Sequence, residues 1–154
     1  MFPVKKILWP SDASESANRA LDVAIEVAKQ FGAKLYGLEV VTEVPTLTDT
    51  GPPMSGLNIP RYEEELRQGA QEALEEMIKA KVPDDIEVET FIEMGKAADV
   101  IITFAKEKGI DLIVMATHGR SGLSHLFIGS VAENVIRHSP IPTLIIPEKS
   151  GKKN

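Results

Sequence analysis

Short apolar runs alternate along this chain with amphipathic segments, and that alternation constrains the fold more than any other property of the sequence. Val4 to Trp9 is an apolar run closed by Pro10, after which Ala17, Leu21, Ala24, Ile25, Ala28 and Phe31 recur at helical spacing up to Gly32. Lys34 to Val41 is rich in Leu, Val and Tyr, which suit a buried pleated surface. Tyr62, Leu66, Ala70, Ala73, Leu74, Met77 and Ile78 fall on one face of a second helix, whose charged residues form a solvated face. Pro83-Asp84-Asp85 marks a turn and Ile86 to Met94 alternates as a strand. Ala97 to Lys108 then places Val100, Ile101, Phe104 and Ala105 on one helical side before Gly109. Asp111 opens the continuous apolar strand Leu112 to Ala116. Ser130 to His138 forms a short helix that Pro140 and Pro142 keep from extending, and Thr143 to Ile146 is the last strand.

The order βαβαβαβαβ predicts a doubly wound, Rossmann-like α/β fold, a five-stranded parallel sheet covered on both faces through right-handed connections. One domain over residues 1–148 is expected, with Trp9 in the core, a variable loop over 42–60 and a disordered Lys-rich tail over 149–154. In such sheets ligands bind beyond the carboxyl ends of the strands, where the winding reverses. If the first strand lies beside the fourth, that crevice falls between Pro10-Ser11-Asp12 and the segment from Ala116 to Gly119.

Composition removes several classes of function. The chain has no cysteine, which excludes disulfides, thiolate metal sites and cysteine nucleophiles and suits a cytoplasmic compartment. The N-terminal residues carry no signal-like apolar region, and no apolar run reaches the ~18 residues of a membrane span. With net charge −6 and no basic stripe, nucleic acid is not an expected partner.

The segment after the fourth strand carries the strongest functional signal. Residues 116 to 134 are punctuated by Gly119, Gly122 and Gly129 and lead into a helix, an arrangement in which backbone amides can meet an anion. From Leu112 to Ala132 there is no Asp or Glu, while Arg120, His118 and His125 are present. The Walker pattern, the dinucleotide GxGxxG after the first strand and the nucleophile elbow GxSxG are all absent. His118 and His125, with no carboxylate nearby in sequence, make a poor metal pair, and His138 suits a helix C-terminus. Asp12 with Glu15, and Ser130 with Glu133, both read as capping boxes, a role compatible with a nearby ligand.

The spacing of this segment resembles the G-x2-G-x9-G-[ST] pattern of the nucleotide-binding universal stress proteins. Gly119, the nine residues Arg120 to Ile128 and Gly129-Ser130 match it, as do Asp12, Asp111-Leu-Ile-Val-Met and Ser130-Val-Ala-Glu-Asn-Val. The pattern's first glycine is here Ala116. If that position needs positive φ, the methyl group disfavours binding by ~1 kcal/mol or more; as a plain terminal strand residue it costs nothing. The resemblance implies strand order 3-2-1-4-5, an adenine nucleotide alpha hydrolase-like fold, and an ATP site, or one for ADP or AMP. Its residues would be Pro10, Ser11, Asp12, Val40, Val41, Met115, Ala116, His118, Gly119, Arg120, Gly122, Gly129, Ser130 and Val131. Asp12 would face the ribose or a nucleotide-bound Mg2+ or Mn2+, and backbone groups of Val40 or Val41 would read adenine. It further implies a stress-response regulator with at most slow hydrolysis, and a homodimer through Thr143 to Ile146. A nucleotide-free interaction module of the same fold is the alternative, and the client protein is not legible.

Overall fold

The computed structural model describes residues 2–43, 58–117 and 128–148. The strands are β1 (Lys6–Ser11), β2 (Lys34–Val41), β3 (Val88–Met94), β4 (Leu112–Ala116) and β5 (Thr143–Ile146). The helices are α1 (Glu15–Phe31), α2 (Ile59–Lys81), α3 (Ala97–Lys108) and α4 (Ser130–His138). The strands form one parallel sheet in the order β3-β2-β1-β4-β5, the order that the family resemblance implies.

Alternation along each strand feeds two cores. Ile7, Trp9, Leu35 and Val114 point to the face covered by α1 and α2. Leu8, Tyr36, Leu38, Ile113 and Met115 point to the face covered by α3 and α4. Trp9 is fully buried, its Nε1–H donates to the Ala17 carbonyl at 2.9 Å, and its strand is thereby pinned to the start of α1. Gly32 and Gly109 end α1 and α3 in the left-handed conformation, at φ +64° in both cases, where a side chain would be strained.

Several boundaries differ from the sequence reading. Pro10 does not end β1. It stays paired with Leu38, and Ser11 with Glu39, because beyond Leu8 the strand has no β4 partner and no N–H is required on that side. Asn58 accepts from the Arg61 N–H and caps α2, which starts at Ile59, three residues before Tyr62 and within the stretch assigned to the loop. Ile86 is buried but belongs to a turn, with its N–H bonded to the Pro83 carbonyl at 3.1 Å. Most of the expected 42–60 loop and the 149–154 tail lie outside the described residues.

Candidate functional site

β1 pairs with β2 from Lys6↔Lys34 to Ser11↔Glu39 but with β4 only at Ile7↔Leu112 and Leu8↔Ile113. The ladder between the two central strands therefore ends early, at the carboxyl side, where the winding of the sheet reverses. A crevice of about 330 Å³ occupies this place. It is lined by Pro10, Ser11 and Asp12 after β1, Ala17 of α1, Val40 of β2, Ala97 and Ile101 of α3, Met115, Ala116 and Thr117 along β4, and Gly129 to Ala132 at α4.

The β1–α1 turn is fixed by its own short polar side chains. Ser11 Oγ accepts from the Ala13 N–H at 3.1 Å, Asp12 Oδ1 from the Ser14 N–H at 3.0 Å, and Ser14 Oγ from the Ala17 N–H at 3.1 Å. Ser14, not Asp12, is thus the N-cap of α1. The reason is Ala13, held at φ +60°, which turns the chain once more before the helix begins. Asp12 is left half-buried at the crevice, the single ionisable side chain among its described lining residues.

On the opposite wall, the Thr117 N–H donates to the Ile146 carbonyl at 3.1 Å and the Gly129 N–H to the Thr117 carbonyl at 2.7 Å. Gly129 is the N-cap of α4 and no side chain caps this helix, so the Ser130–Glu133 capping box does not form. Glu133 instead pairs with Arg137 at 2.9 Å. The amides of Ser130, Val131 and Ala132 have no acceptor within the helix, because the first helical bond runs from the Glu133 N–H to the Gly129 carbonyl. Lys96, ahead of α3, also makes no side-chain cap, whereas α1 and α2 are capped by Ser14 and Asn58. Two positive helix ends thus border the crevice.

The structure brings together Pro10, Ser11, Asp12, Val40, Met115, Ala116, Gly129, Ser130 and Val131 of the expected residues. Val41 is not among the lining residues, and its carbonyl accepts from the Gly95 N–H at 3.1 Å. His118, Gly119, Arg120 and Gly122 lie outside the described residues. Ala116 is the last residue of β4, in register with Ile146, and Ala13 is the one non-glycine residue at positive φ among those described. The alanine at the pattern's first position therefore imposes no backbone strain. Ala17, Ala97, Ile101 and Ala132 were not among the expected site residues, and Thr117 was expected only as part of the segment from Ala116 to Gly119. Their apolar members share the helical period of core residues, and the one available signal was position: Ala97 opens the helix that follows β3 at the carboxyl edge.

Electrostatic perturbation lies at the other end of the sheet. Lys34, at the start of β2, is raised by its bonds to Glu87, at 2.7 Å, and Glu89. Glu89 is correspondingly lowered, chiefly by its bond to Lys34. Among the described residues no group of three or more His, Cys, Asp or Glu side chains is placed to hold a metal ion. None of the described helices is long and apolar enough to cross a membrane.

A five-stranded doubly wound parallel sheet with a ligand-sized crevice at its switch point defines an α/β binding domain. The chain belongs to the Universal stress protein family, whose sequence profile matches residues 3–147. It is 37% identical over 149 residues to Universal stress protein MJ0531 of Methanocaldococcus jannaschii, covering 97% of this chain and 84% of that protein. The solved structure of MJ0577, from the same organism, superposes with a TM-score of 0.77 at 29% identity, covering 96% of this chain and 98% of that one. Two more distant structures share the fold: a universal stress protein in complex with cAMP, with TM-score 0.60, 24% identity and coverage of 94% and 97%, and one from Archaeoglobus fulgidus in complex with dAMP, with TM-score 0.58, 21% identity and coverage of 95% and 99%.

Proposed function

We propose that this protein is a stress-response regulator that binds an adenine nucleotide, ATP or its products ADP and AMP, in the crevice between β1 and β4. The observation that carries this reading is the meeting, in one cavity, of the uncapped start of α4, the Asp12 turn and an apolar wall. The amides of Ser130 and Val131 offer donors to a phosphate, with Gly129 allowing close approach although its own N–H is engaged. Asp12 faces the ribose or a phosphate-bound Mg2+ or Mn2+, and the base rests between Pro10, Val40 and Met115. Such an ion would be held by one carboxylate together with the phosphates, a common arrangement for Mg2+. Arg120, His118, Gly119 and Gly122 are proposed to complete the phosphate side. The cAMP and dAMP complexes of the distant structures support the reading at the level of the fold.

Binding, with at most slow hydrolysis, is the proposed activity: Asp12, the single ionisable side chain of the described lining, is assigned to the ribose or the ion and leaves no dedicated general base. The protein would act in the cytoplasm as a homodimer paired along β5, an edge strand on which Leu144 is 38% exposed. Calorimetric titration with ATP, ADP and AMP, with and without Mg2+, tests the proposal. Saturable heat is expected; no heat and no thermal shift at millimolar nucleotide overturns it.

A further inference from the structure

The crevice has two unlike ends. Across the order β2-β1-β4 the crevice runs from Val40 and the first turn of α3, represented by Ala97 and Ile101, past Asp12 after β1, to the α4 amides that have no acceptor in their own helix. A nucleotide whose phosphate meets α4 therefore directs its opposite end toward α3. Ala97 and Ile101 are one helical turn apart and present their side chains on the same face. Ile101 is 2% exposed and belongs to the core that contains Leu38 and Met115, so it closes the crevice from beneath. Ala97, half-buried, contributes only a methyl group at the rim.

The position of this wall is fixed by the turn that precedes it. Val40 and Val41 are in register with Glu93 and Met94, and the Gly95 N–H closes onto the Val41 carbonyl at 3.1 Å. Gly95 adopts φ +138°, and a Cβ there would stand 2.9 Å from Val100 Cγ2. A glycine at this point is what permits α3 to start so close to the end of β2. The gap between Val40 and Ala97 is therefore set by backbone geometry, and its free width is decided by the side chain at 97.

We propose that Ala97 and Ile101 select the ligand by the size of its base, with the small side chain at 97 leaving room for a fused bicyclic ring and Ile101 limiting its depth. The inference rests on the nucleotide reading above. It adds that α3 discriminates purine from pyrimidine.

Titration of the full chain with ATP and with CTP tests this, the wild type being expected to prefer ATP. Ala97→Leu replaces the methyl with an isobutyl group and should weaken ATP roughly ten-fold or more while changing CTP less than about three-fold. Ala97→Val, a smaller step, should give an intermediate loss and serves if the leucine variant melts early. Ile101→Ala deepens the slot and should admit N6-benzyl-ATP, which the wild type is expected to exclude. Equal loss of ATP and CTP in the Ala97 variants, or undiminished ATP binding in the folded leucine variant, overturns the size selection while leaving nucleotide binding intact. A wild type that binds neither nucleotide overturns both readings.

Discussion

Trp9 and Gly37 are register partners on β1 and β2, and a Cβ on Gly37 would lie 3.5 Å from Cε3 of the indole. That is ordinary contact distance, so the space left by the glycine fits a methyl group and nothing longer. Gly37→Ala should leave stability within about 1 kcal/mol, whereas Gly37→Leu should cost roughly 1–3 kcal/mol by overpacking. Trp9→Ala should cost about 3–5 kcal/mol. Urea unfolding of the three variants checks the order; a Gly37→Leu variant as stable as the wild type contradicts it.

Ala13 holds a conformation that favours glycine or asparagine. Ala13→Gly should therefore raise stability by about 0.5–1 kcal/mol despite the greater freedom of the unfolded chain, and Ala13→Val should lower it by more than about 1 kcal/mol. Thermal melts read both, and a stabilising valine would refute the strain.

Asp12 does two separable things: it accepts the Ser14 N–H, and it brings a negative charge to the crevice. Asp12→Asn keeps an acceptor and should leave the melting temperature of the ligand-free protein nearly unchanged. It should weaken Mg2+-dependent ATP binding by roughly ten-fold, about the effect of losing one charge-assisted contact. Equal affinity of variant and wild type in the presence of Mg2+ would remove Asp12 from the proposed site.

The ion pairs of Lys34 give stability a pH dependence at both extremes. Glu89 is lowered on folding by its bond to Lys34, so its contribution is present above the usual carboxylate range and is lost as pH falls through its lowered value. Lys34 is raised by Glu87 and Glu89, so its contribution is complete below the usual lysine value and is lost as pH rises through the raised one. Glu89→Gln should flatten the acid limb of the melting-temperature profile and leave nucleotide binding untouched, since the pair lies at the far end of the sheet. All three groups are solvated, so the change should be small.

β5 ends the sheet with Leu144 exposed at 38% and, nearby in sequence, Ile136 of α4 at 46%. If the protein pairs along β5 as proposed, Leu144→Lys should shift it from dimer to monomer in light scattering, because a charge at an edge strand opposes pairing. A wild type that is monomeric at high micromolar concentration contradicts the proposed assembly.

The succession of strands and helices and the α1 and α3 ends were legible because apolar period, Gly32 and Gly109 all point the same way, whereas the sheet order came from the family resemblance. The caps were not. Asp12 and Ser14 both precede α1, and only the left-handed turn at Ala13 decides between them. At α4 the register of Ser130 and Glu133 was right for a box, but the chain enters through Gly129, which places Ser130 inside the helix. Pro10 reads as a strand terminator only when both sides of its strand are assumed to be paired. The polar half of the crevice was found from its loop-like composition, whereas Ala97, Ile101 and Ala132 have the spacing of core residues and become site residues only once the sheet's handedness places their helices at its carboxyl edge.

The early end of the β1–β4 ladder has a mechanical meaning. At this seam two register pairs and the bonds of Asp111 to Lys5 and Lys6 hold the amino side, whereas six register pairs join β1 to β2 along its whole length, so the β1–β4 join is open on its carboxyl side. A nucleotide held, as proposed, by Asp12 after β1 and by the α4 amides after β4 would act as a clasp across it. Its arrival should slow amide exchange along the facing edges of β1 and β4, so the protein would report occupancy through the stiffness of its central seam.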